Sequence, residues 1–257
     1  MLFCLDVGNS QTFGGVFEGG ALRFTFRRTG SARASSDESG IFFRTVLREN
    51  GVDPAAVTQV AICSVVPDAV HSLRNCFLKY FRLDPFLLQP GVKTGLKIRY
   101  RNPLEVGADK IANAMGAMET YPRRELVIVD FGTATTLCGI SAEAEYLGGI
   151  ITAGVQTSMT ALDARTARLP AVEICKPAAV LGRSTVESIQ SGLYFGTLAT
   201  VRTLAASIAE EQFQGRQPVL VGTGGFGRLF EKEKLFDAFI PELALLGLRR
   251  AVALSTL

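Results

Sequence analysis

The first thirty residues alternate between apolar and polar positions in a way that predicts one buried strand followed by a hairpin. Leu2–Val7 is almost wholly apolar, which is typical of a buried strand. Thr12–Phe17 and Ala21–Arg27 alternate apolar and polar residues on either side of Glu18-Gly19-Gly20, which is a hairpin signal. We therefore expect three antiparallel strands, and a turn at Asp6-Val7-Gly8 after the first of them.

The same order of elements returns near residue 130. Glu125–Val129 predicts a strand that leads into Asp130-Phe131-Gly132. Ala134–Ile140 and Tyr146–Ile151 predict two further strands with a polar turn between them. The recurrence of strand, Asp-x-Gly turn and hairpin about half a chain apart indicates an internal structural repeat.

The rest of the pattern predicts helices interleaved with strands, as in an α/β fold. Asn102 suits a helix N-cap, Pro103 suits the first helical position and Glu105 suits the third. The helices expected from such signals and from periodicity are Ser36–Asn50, Pro67–Phe81, Asn102–Glu119, Gln156–Arg165, Ser184–Glu211 and Pro241–Leu254. The further strands expected are Gln59–Val65, Phe86–Leu88, Gly95–Tyr100 and Pro218–Val221.

Length and composition favour a globular protein of one or two domains. The chain has 257 residues, of which 47% are hydrophobic and 20% charged. Tyr121–Arg124 is polar and helix-breaking, so we place a boundary there, between an N-terminal domain at 1–120 and a C-terminal domain at 121–257.

Charge and cysteine usage exclude several classes of function. The net charge is only +3 and dense basic runs are absent, so the sequence predicts neither a nucleic-acid partner nor a membrane surface. The five cysteines have no CxxC spacing, which favours reduced thiols in a cytoplasmic protein. The N-terminal residues lack the features of a signal peptide, and no uninterrupted apolar stretch is long enough to span a membrane.

The two Asp-x-Gly turns are candidate phosphate-binding loops. Such a turn offers backbone N–H groups and hydroxyls to phosphate oxygens, although a single one is as compatible with a tight hairpin and a solvated Asp. A third glycine-rich turn follows at 222–225, GTGG, and all three in this order indicate a nucleotide site. The only histidine, His71, lies among polar residues, and a GxxxxGK[ST] motif is absent, which argues against His-based catalysis and a P-loop.

The order of these motifs resembles that of the acetate and sugar kinase, Hsp70 and actin superfamily, and one branch closely: the type III pantothenate kinases. The resemblance extends over nearly the whole chain. The matching motifs are DVGNS at 6–10, Tyr100 with Asn102-Pro103, GADK at 107–110, DFGTATT at 130–136, GGIITAG at 148–154, ALDARTARLP at 161–170, GRSTVESIQSG at 182–192 and GTGG at 222–225. It implies two ribonuclease-H-like α/β domains with ATP between them, and ATP-dependent phosphorylation of pantothenate, the first step of coenzyme A synthesis.

The resemblance also implies roles for individual residues. Asp109 would be the catalytic base, and a carboxylate near a helix N-terminus is indeed favoured in its charged form. Substrate would be bound by Tyr100, Gly107, Ala108, Asp109 and Lys110, and by Thr185 from the other subunit of a homodimer. ATP would be bound by Asp6, Val7, Gly8, Asn9, Ser10, Gln11, Thr12 and Phe13, and by Thr133. Asp130 would hold a monovalent cation, K⁺ or NH₄⁺, and Mg²⁺ would arrive with ATP.

Two positions depart from the pattern of the family. Lys110 stands where relatives usually have Arg. An ammonium group cannot form the two parallel hydrogen bonds with a carboxylate that a guanidinium forms. Cys138 stands where many relatives have an acidic residue. Two alternatives therefore stay open: another small-molecule kinase of the superfamily, or a catalytically weak regulatory relative, since some family members were first described as transcriptional accessory factors.

Overall fold

The described residues form two units, each built around its own β-sheet. The computed structural model describes residues 1–30, 34–89, 91–166 and 169–255. The first unit comprises Met1–Leu96, Tyr100–Thr120 and Glu242–Leu257, and the second comprises Lys97–Arg99 and Tyr121–Pro241. Ala167 and Arg168, which belong to the motif at 161–170, lie outside the described residues.

The first unit contains a five-stranded sheet in the order β3-β2-β1-β4-β5. Its strands are β1 (Leu2–Val7), β2 (Gln11–Glu18), β3 (Ala21–Thr29), β4 (Gln59–Ser64) and β5 (Phe86–Leu88). β1 to β3 form the predicted antiparallel hairpins, whereas β4 runs parallel to β1 and β5 parallel to β4. The end of β1, which carries Asp6, therefore lies in the middle of the sheet.

One face of this sheet is covered by α1 (Ser36–Glu49) and α2 (Pro67–Phe81). α1 begins at a capping box formed by Ser35 and Glu38. The core on this face contains Phe3, Phe43 and Phe77, and the last two rings stack with their centroids 5.5 Å apart.

The opposite face is covered by α3 (Ala108–Thr120) and α7 (Leu243–Ser255). The two helices cross very closely, because a Cβ atom placed on Gly247 would lie 1.8 Å from the Ala112 carbonyl oxygen. Arg249 on α7 adds an ion pair with Glu119 on α3, at 3.0 Å. The helix that carries Asp109 is thus held in place by a helix from a distant part of the chain.

The helix predicted from Asn102 to Glu119 is in fact divided, which corrects the prediction. Asn102 caps a short 3₁₀ turn, Pro103–Glu105, by accepting a hydrogen bond from the Leu104 N–H. Val106 is then extended, with φ −75° and ψ 117°, and α3 begins at Ala108. The predicted cap is real, but the α-helix restarts after Gly107, so Asp109 lies in its first turn.

The second unit repeats the strand order of the first. Its six-stranded sheet has the order β11-β10-β7-β8-β9-β6. The strands are β6 (Lys97–Ile98), β7 (Leu126–Phe131), β8 (Ala134–Ile140), β9 (Glu145–Ala153), β10 (Val219–Thr223) and β11 (Ala238–Phe239). β7, β8 and β9 are antiparallel neighbours, and β10 and β11 run parallel to β7, as β4 and β5 do to β1. The internal repeat is therefore present in both order and direction.

Three helices of the second unit are α4 (Val155–Arg165), α5 (Thr185–Ser191) and α6 (Thr197–Phe213). The sequence predicted one helix over 184–211, and the chain is helical from Thr185 to Phe213, with a π-helical turn at Gly192–Gly196 between α5 and α6. Leu193 and Val201 from these helical segments pack with Val129 and Phe131 of β7 in the core of the unit. None of the helices in the described ranges is long and apolar enough to cross a membrane.

The two units differ from the predicted division into 1–120 and 121–257 in two places. Lys97–Arg99 lies with the second unit, where β6 pairs with β9. α7 lies with the first unit, where it packs on α3. Both differences arise from contacts between residues that are far apart in sequence, which local patterns do not report.

Candidate active site

The loop between β1 and β2 presents a mixture of exposed and buried residues. The Gly8 N–H donates to the Gln11 carbonyl at 3.0 Å, which closes a tight turn. At its tip the exposed residues are Asn9, Ser10 and Gln11, and the buried residues beside it are Val7, Thr12 and Phe13. Of the predicted ATP-binding residues, the exposed three can offer side chains to a ligand, whereas the buried three lie in the paired strands β1 and β2.

Asp6 lies directly opposite Cys63 in the parallel pairing of β1 with β4. The Cys63 thiol is fully buried and donates a hydrogen bond to Asp6 Oδ1 at 3.4 Å. Burial raises the pKa of the Cys63 thiol well above its usual value, and the nearby carboxylates of Asp6 and Asp109 raise it further. The thiol therefore stays protonated, and Asp6 is the acceptor. No local pattern in the sequence distinguishes Cys63, because only the strand register brings it to Asp6.

Asp109 carries an unusual carboxylate. Its Oδ1 atom is buried and has no hydrogen-bond partner among the described residues. Its Oδ2 atom lies 3.5 Å from Lys110 Nζ. Buried oxygens of charged groups are nearly always paired, so an unpaired one at the N-terminal turn of a helix is suited to accept a proton from a bound ligand.

Gly107 makes room for the Asp109 carboxylate. A Cβ atom placed on Gly107 would lie 2.4 Å from Asp109 Oδ1 and 3.5 Å from a Val65 methyl group. The carboxylate occupies the space that a side chain at position 107 would otherwise fill. This explains why a glycine stands two residues before Asp109.

Replacing Gly107 by Ala should therefore lower kcat about tenfold with little change in melting temperature. The added methyl group displaces only the end of the flexible Asp109 side chain, which moves the carboxylate but leaves the backbone in place. Steady-state kinetics and thermal denaturation test this expectation. Gly139→Ala is the matched control, because the same methyl group meets neighbours there at 3.5 Å or more. An unchanged kcat for Gly107→Ala would contradict the proposed contact.

The other predicted substrate residues belong partly to the first unit and partly to the second. Ala108 is buried, whereas Tyr100 and Lys110 are partly exposed and, like Asp109, belong to the first unit. Thr185 is exposed at the first position of α5 in the second unit, next to the capping residue Ser184. Its predicted contact with substrate in a partner subunit stays a prediction.

In the second unit the Asp130 turn and the GTGG turn form one structure. A Cβ atom on Gly224, whose φ is +90°, would lie 2.4 Å from Asp130 Oδ1 and 2.5 Å from the Phe131 nitrogen. The Phe226 N–H donates to the Phe131 carbonyl at 3.2 Å. Only glycine at 224 allows the Asp130 carboxylate to approach this closely.

Thr133 is the one member of the 133–136 group that combines a hydroxyl with an exposed position. Thr135 and Thr136 are buried on β8. The Thr133 carbonyl accepts hydrogen bonds from the Gly154 N–H at 3.1 Å and from the Thr157 hydroxyl at 2.6 Å. These bonds connect the loop to the start of α4.

The neighbours of Asp130 in the sheet carry oxygen donors. Asp130 is opposite Thr136 in β8 and Thr223 in β10. Within 1–30, 34–89, 91–166 and 169–255, no group of three or more His, Cys, Asp or Glu is placed to hold a metal ion. A cation at Asp130 would thus be held by one carboxylate with hydroxyl, carbonyl, water or phosphate oxygens, which is a donor set that fits a hard ion of low charge.

Cys138 lies inside the second unit rather than at an open surface. It is buried, and its sulfur lies 3.0 Å from the Tyr146 hydroxyl. Cys138 is two residues beyond Thr136 on β8, so both point to the same face of the sheet. None of the five cysteines, which all lie within the described residues, forms a disulfide; four are buried, and Cys175 is partly exposed.

Comparison with known proteins identifies the family. A model of the type III pantothenate kinase family matches residues 2–207. A type III pantothenate kinase of Legionella pneumophila (strain Paris) is 52% identical over 256 residues, covering 100% of both chains. One from Elusimicrobium minutum is 47% identical and covers 98% of each. The chain belongs to the type III pantothenate kinase family. The resemblance inferred from the motifs is thereby confirmed.

Solved structures with the same fold support the predicted fold class. A putative 2-dehydro-3-deoxygalactonokinase from Sinorhizobium meliloti superimposes with a TM-score of 0.60, at 13% identity, over 99% of this chain and 96% of its own. A conserved putative Baf family transcriptional activator from Campylobacter jejuni also gives 0.60, at 18% identity, over 99% and 98%. At such identities the likeness establishes the fold alone, and it confirms the α/β fold of the actin/Hsp70-like kinases for this member of the type III family.

Proposed function

We propose that this protein transfers the γ-phosphoryl group of ATP to pantothenate and so forms 4′-phosphopantothenate, the first step of coenzyme A synthesis. Similarity over the full length of the curated relatives supports pantothenate as the acceptor. The observation that supports a phosphoryl transfer to an alcohol is the Asp109 carboxylate, with one buried oxygen left unpaired at the start of α3.

Asp109 acts as the general base in this proposal. Its Oδ1 accepts the proton of the pantothenate primary hydroxyl as the hydroxyl oxygen attacks the γ-phosphorus in line with the leaving ADP. Because phosphoryl transfer depends mainly on positioning and charge stabilisation, the space that Gly107 leaves for the carboxylate contributes to catalysis in addition to the basicity of Asp109.

The nucleotide is bound by the Asp-x-Gly turns. In the first unit the ATP-binding residues are Asp6, Val7, Gly8, Asn9, Ser10, Gln11, Thr12 and Phe13; in the second the hydroxyl of Thr133 binds phosphate. Asp130 would hold K⁺ or NH₄⁺ together with neighbouring oxygens, and Mg²⁺ arriving with ATP would offset the charge of the phosphates.

Pantothenate is bound by Tyr100, the Gly107–Lys110 segment and Thr185 of the partner subunit in a homodimer. Lys110 supplies the positive charge for the pantothenate carboxylate. We place the enzyme in the cytoplasm, which the five reduced cysteines support.

The identity of residue 110 should affect substrate binding more than catalysis. Replacing Lys110 by Arg is expected to lower the KM for pantothenate several-fold, because a guanidinium can bind a carboxylate through two parallel hydrogen bonds. The KM for ATP should be unchanged. Steady-state kinetics with each substrate varied in turn test this expectation, and an unchanged KM for pantothenate would remove Lys110 from the proposed contact.

The proposed function is tested by ADP release in a coupled assay, with and without pantothenate, in potassium and then in sodium. We expect ADP formation that depends on pantothenate and is faster in potassium. Absent turnover, or turnover independent of pantothenate, would refute the proposal. A panel of other small alcohols and sugars in the same assay distinguishes pantothenate from other acceptors of this kinase fold.

A further inference from the structure

The contacts around the end of β1 give Cys63 a role of its own. We propose that Cys63 is a positioning residue, whose buried S–H group fixes the Asp6 carboxylate and leaves the neighbouring Asp109 carboxylate unpaired for the substrate hydroxyl. The part of this inference that concerns catalysis rests on the proposed function, whereas the part that concerns Asp6 does not.

The strand register brings the thiol and the carboxylate together. Cys63 and Asp6 are opposite each other on adjacent parallel strands, so their side chains point to the same face of the sheet. Cys63 is completely buried, and its Sγ–Oδ1 distance of 3.4 Å is a normal length for a hydrogen bond from sulfur. This is a fixed contact in the core, in contrast to a thiol at an open surface.

One donor lies in the neighbourhood of two carboxylates. Asp6 accepts the hydrogen bond of the thiol, and Asp109 lies at the start of α3, which packs on β4. A Cβ atom on Gly107 would lie 2.4 Å from Asp109 Oδ1 and 3.5 Å from a methyl group of Val65, two residues beyond Cys63. A thiol has a single proton, and the structure directs it to Asp6. Asp109 Oδ1, also buried, has no partner in the described ranges. The thiol therefore fixes the Asp6 carboxylate and leaves Asp109 Oδ1 available to accept a proton from the substrate hydroxyl.

The chemistry of sulfur suits this position. The pKa of the thiol is raised by burial and by the two acids, so the group remains a donor and adds no third negative charge between them. Because S–H is a weak donor, it can orient Asp6 without withdrawing much of the charge that Asp6 would direct towards bound nucleotide.

The first test measures the hydrogen bond directly and needs no substrate. The infrared S–H stretching band of Cys63 is obtained as the difference between the wild-type protein and Cys63→Ala. Replacing the charged acceptor, in Asp6→Asn, should shift this band to higher frequency. The band of Cys76, a buried thiol of the aromatic core, is obtained in the same way and should not move. A Cys63 band that is insensitive to Asp6→Asn would overturn the proposal.

The second test measures binding of Mg-ATP by titration calorimetry. Cys63→Ala should raise the dissociation constant about tenfold, because the Asp6 carboxylate loses the donor that orients it, and Cys63→Ser should restore it to within about threefold. Cys76→Ala removes an equally buried thiol and should change only the melting temperature. Unchanged binding by Cys63→Ala, or equal losses in the Ala and Ser variants, would overturn the proposal.

Kinetics then separate this inference from the proposed function. In the wild-type protein, absent phosphorylation of pantothenate would refute the function and leave both tests above intact. If the enzyme is active, Cys63→Ala should raise the KM for ATP about tenfold and leave the KM for pantothenate within about twofold of its original value. A rise confined to the KM for pantothenate would contradict the role assigned to Cys63.

Discussion

Replacing Asp109 by Asn should lower kcat by about 10³-fold and leave the protein folded. Asn has the same shape, so it fits the space beside Gly107 that the carboxylate now occupies. It cannot accept the proton of the attacking hydroxyl. The ion pair with Lys110, at 3.5 Å and partly exposed, contributes little to stability, so its loss should change the free energy of unfolding by less than about 1 kcal/mol.

The measurements are kcat, the KM for ATP and the melting temperature. The KM for ATP should hardly change, because the contacts of the Asp-x-Gly turn at Asp6 are not altered. Asp68→Asn is the matched control, since Asp68 is an exposed acid in the first turn of α2 in the same unit and should retain full activity. If Asp109→Asn kept more than about a tenth of the activity, Asp109 would not be the general base.

Replacing Gly247 by Ala should produce the largest loss of stability. The new methyl group would lie 1.8 Å from the Ala112 carbonyl oxygen and 2.6 Å from its carbon, and both belong to the backbone of α3. Neither helix can relieve this overlap by turning a side chain, so α3 and α7 must separate. Overpacking of this kind typically costs about 1–3 kcal/mol, despite the higher helix propensity of Ala.

Thermal denaturation should show a melting temperature lower by several degrees, and kcat should fall as well, because Asp109 is carried by α3. Gly196→Ala is the control for stability, since a Cβ atom there meets nothing within 4 Å. A Gly247→Ala protein with unchanged melting temperature would show that the two helices are less tightly packed than described.

The sequence predicted correctly those helices and strands whose ends are determined by residues next to them in the chain. α2 begins at Pro67 and ends at Phe81 as predicted, because a proline opens it and Arg82 in the left-handed region closes it. The repeat was predicted from the Asp-x-Gly turns, and strand orders centred on β1 and β7 bear it out. The sequence predicted Asp109 near a helix N-terminus, and in the structure it lies in the first turn of α3.

Of three features that the sequence did not predict, one is local and two depend on residues distant along the chain. The cap at Asn102 is a correct local signal, yet it opens a 3₁₀ turn because the chain is extended at Val106. The packing of Gly247 against Ala112 cannot be inferred from either helix alone. Cys63 is one of several cysteines in apolar runs, and only its register opposite Asp6 distinguishes it.

The position of α7 has a consequence for how the protein is made on the ribosome. The second unit is built mainly from the continuous stretch Tyr121–Pro241, whereas the first unit also needs Glu242–Leu257. The residues of α3 emerge early, but the helix that covers them is synthesised after the whole of the second unit. We therefore expect the second unit to finish folding first, reversing the usual N-to-C order of domain folding during translation. Until then the nascent chain exposes the apolar face of α3, which makes it a candidate client for chaperones.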